Sequence, residues 1–141
     1  INDPHNIGAI IRSAAAFNAD SVLITAHNSP SESATIHKTS AGTIDIIPCI
    51  WINNLVNSIK LLKSYNFWCY GLDIQAKQNY KSINFLGKNL IILGSEENGL
   101  RDLTKKNCDH LLKIDMSPKV ESLNVSNAAA IIFSEIFNQF T

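Results

Sequence analysis

Short apolar runs alternate with amphipathic stretches along this chain, and this alternation is what most restricts its fold. The runs Ser21–Ala26, Phe67–Ile74 and Asn89–Gly94 have the length and composition of buried strands, and the last is rich in Leu and Ile. Asn6–Asn18 and Asn124–Phe140 instead repeat their apolar residues at helical spacing. Strands that alternate with helices predict an α/β domain with a mostly parallel sheet.

The remaining elements are predicted from the same patterns. Asn89–Gly94 is the clearest candidate for the central strand, because it is apolar throughout. Ile46–Ile52 is β-branched but contains Pro48, which predicts an edge strand or a bent strand. The other predicted elements are a polar loop at 27–43, a helix at Asn53–Tyr65, a loop or short helix at Gln75–Gly87, a short helix at Leu100–Cys108 and a strand at His110–Met116.

Length and charge limit the function classes. The 141 residues suffice for one domain with a single core. Twelve basic residues balance twelve acidic ones, so RNA binding would require a local basic patch. No apolar run approaches the roughly 20 residues of a membrane-spanning helix, and we expect no membrane association. Because the chain opens at Ile1 without Met or a signal peptide, we expect a fragment of a longer protein.

The three cysteines do not suggest a metal site. Cys49, Cys69 and Cys108 are far apart in sequence and lie in apolar surroundings. The CxxC and Cys–His spacings of zinc sites are missing from the sequence. We therefore expect reduced, buried thiols in a cytoplasmic protein, and no metal.

Polar loops follow two of the predicted strands. Ligands of open parallel sheets bind beyond the carboxyl ends of the strands, so Gly94–Leu100 and Met116–Asn124 should line one crevice. In the first loop, Gly94 would let a ligand approach the backbone, and Gly99 would permit a positive φ. The loop lacks the patterns of dinucleotide-binding and Walker A loops. Its two adjacent acids suit a cationic or hydroxyl-rich ligand, although an ordinary turn with solvated carboxylates fits equally well.

Two junctions carry further polar candidates. Asn6 begins the first predicted helix, and Arg12 lies within its otherwise apolar sequence. A buried arginine there would need a carboxylate or phosphate partner, and the alternative is an N-cap followed by a solvated arginine. Ser122 and Asn124 precede the last helix, where short polar side chains suit either ligand oxygens or plain helix capping.

The chain contains three segments that resemble, in order and spacing, the signature motifs of the SpoU (TrmH-like) branch of the SPOUT RNA methyltransferases. These segments are NIGAIIRSAAAFNA, LIILGSEENGL and IDMSPKVESLNVSNAAAIIFSEI. The stretch HKTSAGTIDIIPC is similar to the family's segment between the first two motifs. The resemblance covers essentially the whole chain. It is greatest to enzymes that methylate a guanosine ribose in 23S ribosomal RNA.

The resemblance implies a fold and a set of partners. The fold would be a Rossmann-like, mostly parallel sheet with helices on both faces and a deep C-terminal trefoil knot. S-adenosyl-L-methionine (SAM) would bind in the knot and leave as S-adenosyl-L-homocysteine, and the active form would be a homodimer. The resemblance also implies a catalytic domain at 1–141 whose first strand, at one sheet edge, and any N-terminal RNA-binding domain lie outside the chain.

Matching by position also implies the functional residues. The residues at active-site positions of the family are Asn6, Arg12, Glu96, Ser122 and Asn124. The residues at cofactor positions are Gly94, Ile114, Met116 and Leu123. The candidates for RNA contacts are Arg12, Lys38 and Lys119, with Lys105 and Lys106 as further possibilities. For each lysine, a solvated surface position is the alternative reading.

The implied reaction moves a methyl group to a ribose 2′-hydroxyl, so its demands are positioning and removal of a proton. Arginine's pKa lies far above neutrality, which makes a neutral guanidine costly. We therefore favour Arg12 as the group that grips the phosphate beside the target ribose, with Asn6 and Ser122 orienting that arrangement. Two alternatives stay open: a transfer RNA substrate, and a non-catalytic RNA-binding dimerisation module.

Overall fold

The computed structural model describes residues 1, 3–25 and 45–141. Its helices and strands, in chain order, are α1 Pro4–Ala16, β1 Val22–Thr25, β2 Cys49–Ile52, α2 Leu55–Ser64, β3 Trp68–Leu72, β4 Gln78–Asn79, β5 Asn89–Ile92, α3 Asp102–Asn107, β6 His110–Lys113 and α4 Val125–Phe140. The predicted loop at 27–43 lies outside the described residues. Every helix and strand predicted from the described sequence is present, and β4 with the 3-10 turn Tyr80–Ser82 replaces the predicted loop or short helix.

The helix boundaries follow from local capping. The Asp3 side chain accepts a hydrogen bond from the backbone N–H of His5, and Pro4 occupies the first turn of α1, where its missing N–H costs nothing. Asn54 caps α2 in the same way, accepting from the N–H of Asn57. Asp3 and Pro4 thus set the start of α1 two residues before the apolar repeat begins at Asn6.

The described strands form two hydrogen-bonded sheets, and each of their strand pairs is parallel. One sheet has the order β1–β2, and the other has the order β4–β6–β3–β5. The prediction of a mostly parallel sheet is confirmed. The prediction that Asn89–Gly94 is the central strand is wrong for the hydrogen-bonded order of the described strands, because β5 lies at the end of that order. A continuous apolar run reports burial on both faces of a strand, and it carries no information about neighbours in the sheet plane.

Helices cover both faces of the larger sheet, as neighbouring residues of β3 demonstrate. Cys69 packs in a cluster with Ile59 of α2, whereas Tyr70 packs in a different cluster with Ile132 of α4. Successive side chains of a strand point to opposite faces, so the two helices lie on opposite sides. Helix α1 packs against α4, where the rings of Phe17 and Phe137 lie 6.1 Å apart. None of the described helices has the length and apolar character needed to cross a membrane.

Two of the cysteines meet in space although they are distant in sequence. Cys69 is fully buried, and its thiol donates a hydrogen bond to the sulfur of Cys108 at 3.7 Å. This hydrogen bond and burial raise the pKa of Cys69, and the same bond lowers the pKa of Cys108. The three cysteines form no disulfide, and Cys49 and Cys108 are only partly buried. The described residues contain no group of three metal-ligating side chains.

Candidate active-site cavity

A cavity of about 710 Å³ opens beyond the carboxyl ends of β3, β5 and β6. Its walls come from the loops after these strands, together with the first residues of α4. The lining segments are Leu72–Gln75, Leu93–Leu100, Leu112–Ile114 and Glu121–Val125, with Met116, Lys105 and Ala128. The expectation that Gly94–Leu100 and the segment before α4 line one crevice is confirmed. The volume lies in the range of small-molecule sites.

The loop after β5 folds tightly back on itself. Ser95 and Gly99 exchange two backbone hydrogen bonds of 3.2 and 3.0 Å, and Gly99 has φ +64° as predicted. A Cβ on Gly94 would lie 2.3 Å from the carbonyl carbon of Gly99 and 2.6 Å from the nitrogen of Leu100. Glycine at 94 is therefore required by close approach of the loop to itself, whether or not a ligand is bound.

Asn6 and Glu96 meet across 90 residues of sequence. Asn6 is buried, and its Nδ2 donates a hydrogen bond of 2.9 Å to Oε1 of Glu96. Asn6 is thus no N-cap, because Asp3 fills that role. The contact ties α1 to the loop after β5 and holds the carboxylate of Glu96 at the cavity wall.

We expect this contact to contribute measurably to stability. A double-mutant cycle of Asn6→Ala and Glu96→Ala should give a coupling of about 1 kcal/mol in the free energy of unfolding, because each variant removes one partner of a charge-assisted hydrogen bond in a partly buried position. Urea denaturation of the wild type, the two single variants and the double variant measures this coupling. The exposed hydrogen bond from Asn79 Nδ2 to Asp115 Oδ2 is the matched control, with a smaller coupling expected. A coupling near zero for Asn6 and Glu96 would contradict the contact.

The segment before α4 brings most of the other predicted residues to the cavity. Asn124 caps α4, its Oδ1 accepting from the N–H of Ser126 at 2.8 Å, and Ser122 is exposed beside it. Both side chains belong to residues that line the cavity, as do Ile114, Met116 and Leu123. Capping therefore accounts for Asn124, while the hydroxyl of Ser122 has no such structural role among the described contacts.

Arg12 and the predicted lysines are placed differently. Of the two alternatives left open for Arg12, the structure has the solvated one, because its side chain is exposed. Residues of a helix are about 100° apart, so the face that buries Ile11 and Ala14 turns Arg12 outward. Arg12 also lies outside the set of described residues that line the cavity. Lys119 is exposed in the loop before α4, and Lys38 lies outside the described residues.

Sequence reasoning missed the loop after β3. Asp73 and Gln75 line the cavity, and the carboxylate of Asp73 lies 3.4 Å from Nζ of Lys105. Lys105 was a candidate for RNA contacts, but here it lines the cavity and pairs with an acid. The rule that ligands bind beyond strand ends applies to β3 as well. The missed signal was the change from apolar to polar residues at Asp73, since the predicted strand ran on to Ile74.

The charged side chains of the cavity favour a cationic ligand. Its acids outnumber its lysines by four to two: they are Asp73, Glu96, Glu97 and Glu121 against Lys105 and Lys113. Lys105 and Lys113 are already paired, with Asp73 and Asp115 respectively. Such a wall repels polyphosphates and attracts a ligand of net positive charge.

Comparisons with known proteins bear on this site. The sequence profile of the SpoU rRNA Methylase family matches residues 1–134. The chain is 42% identical to the 23S rRNA (guanosine-2'-O-)-methyltransferase RlmB of Xylella fastidiosa over 141 residues, which is all of this chain and 57% of that protein. An uncharacterized tRNA/rRNA methyltransferase of Borreliella burgdorferi is 39% identical over 99% of this chain and 61% of its own length. The chain thus spans less than two thirds of these relatives.

Solved structures give the same result at the level of the fold. The crystal structure of the SpoU methyltransferase AviRb from Streptomyces viridochromogenes in complex with AdoMet matches with a TM-score of 0.92 and 25% identity, over 99% of this chain and 57% of that chain. The A. aeolicus TrmH/SpoU tRNA modifying enzyme matches with a TM-score of 0.89 and 20% identity, over 99% and 71% of the two chains. The predicted α/β fold class is confirmed.

Proposed function

This chain belongs to the SpoU rRNA methylase family, and on that premise we propose that it transfers a methyl group from SAM to a ribose 2′-hydroxyl of RNA. The substrate we propose is a guanosine of 23S ribosomal RNA, which is the substrate class in the name of the Xylella fastidiosa relative. The observation that carries the proposal is that the loops after β5 and β6 line one shared cavity, and that Asn6 holds Glu96 at the wall of this cavity.

The cavity fits SAM on two counts. Its volume of about 710 Å³ suits a ligand of that size, and its excess of carboxylates suits a molecule with net positive charge. When bound, SAM supplies an electrophilic methyl group on its sulfonium. Four residues that line the cavity are proposed to hold it, mainly through backbone groups: Gly94, Ile114, Met116 and Leu123.

The proposed tasks of the polar residues are positioning and proton removal. Ser122 would orient the target hydroxyl, because its own hydroxyl is exposed beside the cavity. Asn124 would fix the loop by capping α4, and Asn6 would hold Glu96 in place. The proton would pass to the RNA phosphate or to water. Lys119 and Lys38 are proposed to contact the RNA backbone.

Arg12 leads us to propose a homodimer. It is one of two arginines in the chain, yet it is exposed and does not line the cavity formed by the described residues of its own subunit. Arg12 of the partner subunit would instead reach the cavity and grip the phosphate next to the target ribose through its two-pronged guanidinium. The packing of α1 against α4 leaves Phe140 about half exposed, at 54%, which suits an interface along these helices.

Three further proposals concern the chain and its setting. The segment between β6 and α4 lies against the loop after β5 in one cavity, and this closeness supports the trefoil knot of the family. An enzyme that modifies ribosomal RNA would work in the cytoplasm. The domain at 1–141 is proposed to be the catalytic part of a longer protein, because its curated relatives are longer than the matched stretch.

A second cavity, of about 570 Å³, supports the proposal that the family's first strand belongs to this domain. It separates β1 from β5, and apolar residues of α1, α2 and α4 close it on both faces. Ile1 lines it as well. β1 and β5 each pair on one side only among the described strands. A parallel strand leading into Ile1 would fill this gap, which is in the middle of the sheet and not at the edge that the sequence suggested. Its connection through α1 to β1 would be a βαβ unit.

Adding such a strand should stabilise the domain. An N-terminal extension of five Val and Ile residues joined to Ile1 should raise the free energy of unfolding by about 2 kcal/mol or more, because it would bury apolar side chains and pair two strand edges. Urea denaturation measures the change. A Gly-Ser extension of equal length is the control. Equal stability of the two extended chains would contradict the proposal.

Transfer of a labelled methyl group from SAM tests the proposed function. Ribosomal RNA and transfer RNA would be supplied separately, and the modified nucleotide would be mapped. Label on a guanosine ribose of 23S RNA supports the proposal, and label on transfer RNA alone would favour the second substrate. Saturable SAM binding by calorimetry separates an enzyme from a non-catalytic module, since a module that has lost the cofactor site would bind no SAM.

A further inference from the structure

The ion pair between Asp73 and Lys105 has no part in the function proposed above, although both residues line the larger cavity. Asp73 belongs to the loop after β3, and Lys105 belongs to α3. They thus connect the loop after β3 to α3 at this wall. An ion pair at a cavity wall can connect two elements of the fold, or it can bind a ligand that carries both a positive and a negative charge.

The surroundings of Asp73 hold its carboxylate in place. Its backbone N–H donates to the carbonyl of Leu112 at 2.9 Å, which anchors the loop to β6. Its Oδ1 accepts from the N–H of Gln75 at 2.9 Å, and its side chain is only 13% exposed. A carboxylate in this position is pre-organised, because neither the backbone nor the side chain must move to meet a ligand.

Both members of the pair retain capacity for hydrogen bonds. An ionised carboxylate has about four acceptor sites, and an ammonium has three donors. The described contacts use Oδ1 once, and they join Oδ2 to Lys105 over 3.4 Å, which is longer than the usual 2.7–2.9 Å of a charge-assisted hydrogen bond. The pair is loose enough for a zwitterion to bind beside it, ammonium to carboxylate and carboxylate to ammonium.

We propose that the Asp73–Lys105 pair binds the amino-acid end of the methyl donor. Asp73 accepts from the donor's α-ammonium, and Lys105 donates to its α-carboxylate. This inference rests on the proposed function, because it assigns a subsite within the same cavity. It makes these two residues determinants of selectivity for a donor with an intact amino-acid end.

Calorimetry with three ligands tests the assignment on the 141-residue chain. SAM carries both charges of the amino-acid end, decarboxylated SAM lacks the carboxylate, and methylthioadenosine lacks the amino-acid end altogether. Lys105→Gln should raise the dissociation constant for SAM about tenfold and change that for decarboxylated SAM by less than about twofold. Asp73→Asn should raise the dissociation constants for SAM and decarboxylated SAM about tenfold or more and leave that for methylthioadenosine unchanged.

Lys113→Gln is the matched control. Lys113 lines the same cavity and pairs with Asp115 over the same 3.4 Å, but the side chain of Asp115 is 71% exposed. This variant should lower the affinities for SAM and decarboxylated SAM by equal factors, or leave both affinities unchanged. Circular dichroism and thermal unfolding establish that each variant is folded. If Asp73→Asn does not fold, the assignment is tested by Lys105→Gln alone, through the ratio of its dissociation constants for SAM and decarboxylated SAM.

The outcomes separate the two levels of the proposal. If Lys105→Gln leaves the affinity for SAM unchanged, or weakens all three ligands equally, the pair is a structural tie and the assignment is overturned while the proposed function stands. If the wild-type chain binds none of the three ligands, the proposed function is overturned and the assignment with it. Selective loss of SAM in Lys105→Gln supports both.

Discussion

Replacing Arg12 with alanine should lower the rate of methyl transfer to RNA by about 100- to 1,000-fold, while the dissociation constant for SAM changes less than about twofold. The side chain is exposed and lies apart from the described residues that line its own cavity, so its loss leaves the cofactor site intact. It would remove the guanidinium that is proposed to grip the phosphate beside the reacting ribose. Single-turnover transfer and calorimetry measure the two quantities separately.

Arg12→Lys is the matched variant, because it keeps the charge and loses the bidentate fork. We expect it to transfer methyl groups more slowly than wild type and to bind RNA more weakly. Full transfer and full RNA affinity in Arg12→Lys would contradict the phosphate grip. A cavity in Arg12→Ala that binds SAM poorly would show instead that Arg12 acts within its own subunit.

Mixed dimers test which subunit supplies the arginine. Arg12→Ala subunits retain a cavity, and subunits with a disrupted cavity, such as Gly94→Ala, retain Arg12. If the arginine acts across the interface, an equal mixture should recover about a quarter of the wild-type rate, because half of the dimers contain one complete site. A mixture that stays as inactive as its components would contradict the shared site.

Gly94→Ala should raise the dissociation constant for SAM about 30-fold or more and lower the free energy of unfolding by about 1–3 kcal/mol. The new Cβ would lie 2.3 Å from the carbonyl carbon of Gly99 and 2.7 Å from its oxygen. Backbone atoms cannot swing aside as a flexible side chain can, so the loop must open and displace the cavity wall. Calorimetry and urea denaturation measure the two effects.

Gly99→Asn is the control for Gly94→Ala. It lies in the same loop with φ +64°, but an added Cβ would meet no atom within 4 Å. Asparagine tolerates the left-handed conformation better than most residues, so the loss of SAM affinity should be much smaller. If Gly94→Ala bound SAM as well as wild type, the close approach within the loop would not determine the shape of the cavity.

Local chemistry explains what could be predicted from the sequence. Asp3 and Pro4 start α1 through a side-chain cap and a fixed φ, and both effects depend on neighbouring residues only. The polar loops after β5 and β6 could be assigned to one cavity because parallel strands present their carboxyl ends to the same edge. The roles of the predicted site residues and the placement of Lys38 stay predictions.

Non-local geometry explains what could not be predicted. The neighbours of β5 in the sheet depend on which strands pair in space, and an apolar run carries no information on that point. The contact from Asn6 to Glu96 joins residues 90 positions apart. The sequence left a buried and a solvated Arg12 open, because the direction of a helical side chain depends on which face of the helix meets the core. Asp73 was missed because the end of β3 was extended by two residues.

The excess of carboxylates along the cavity wall has a consequence for turnover. A sulfonium becomes a neutral thioether when it gives up its methyl group, so the spent donor carries one positive charge fewer than the fresh one. The wall therefore attracts the incoming molecule more strongly than the outgoing one. Under the proposed function, methyl transfer would therefore weaken the binding of S-adenosyl-L-homocysteine and favour its release at the end of each cycle.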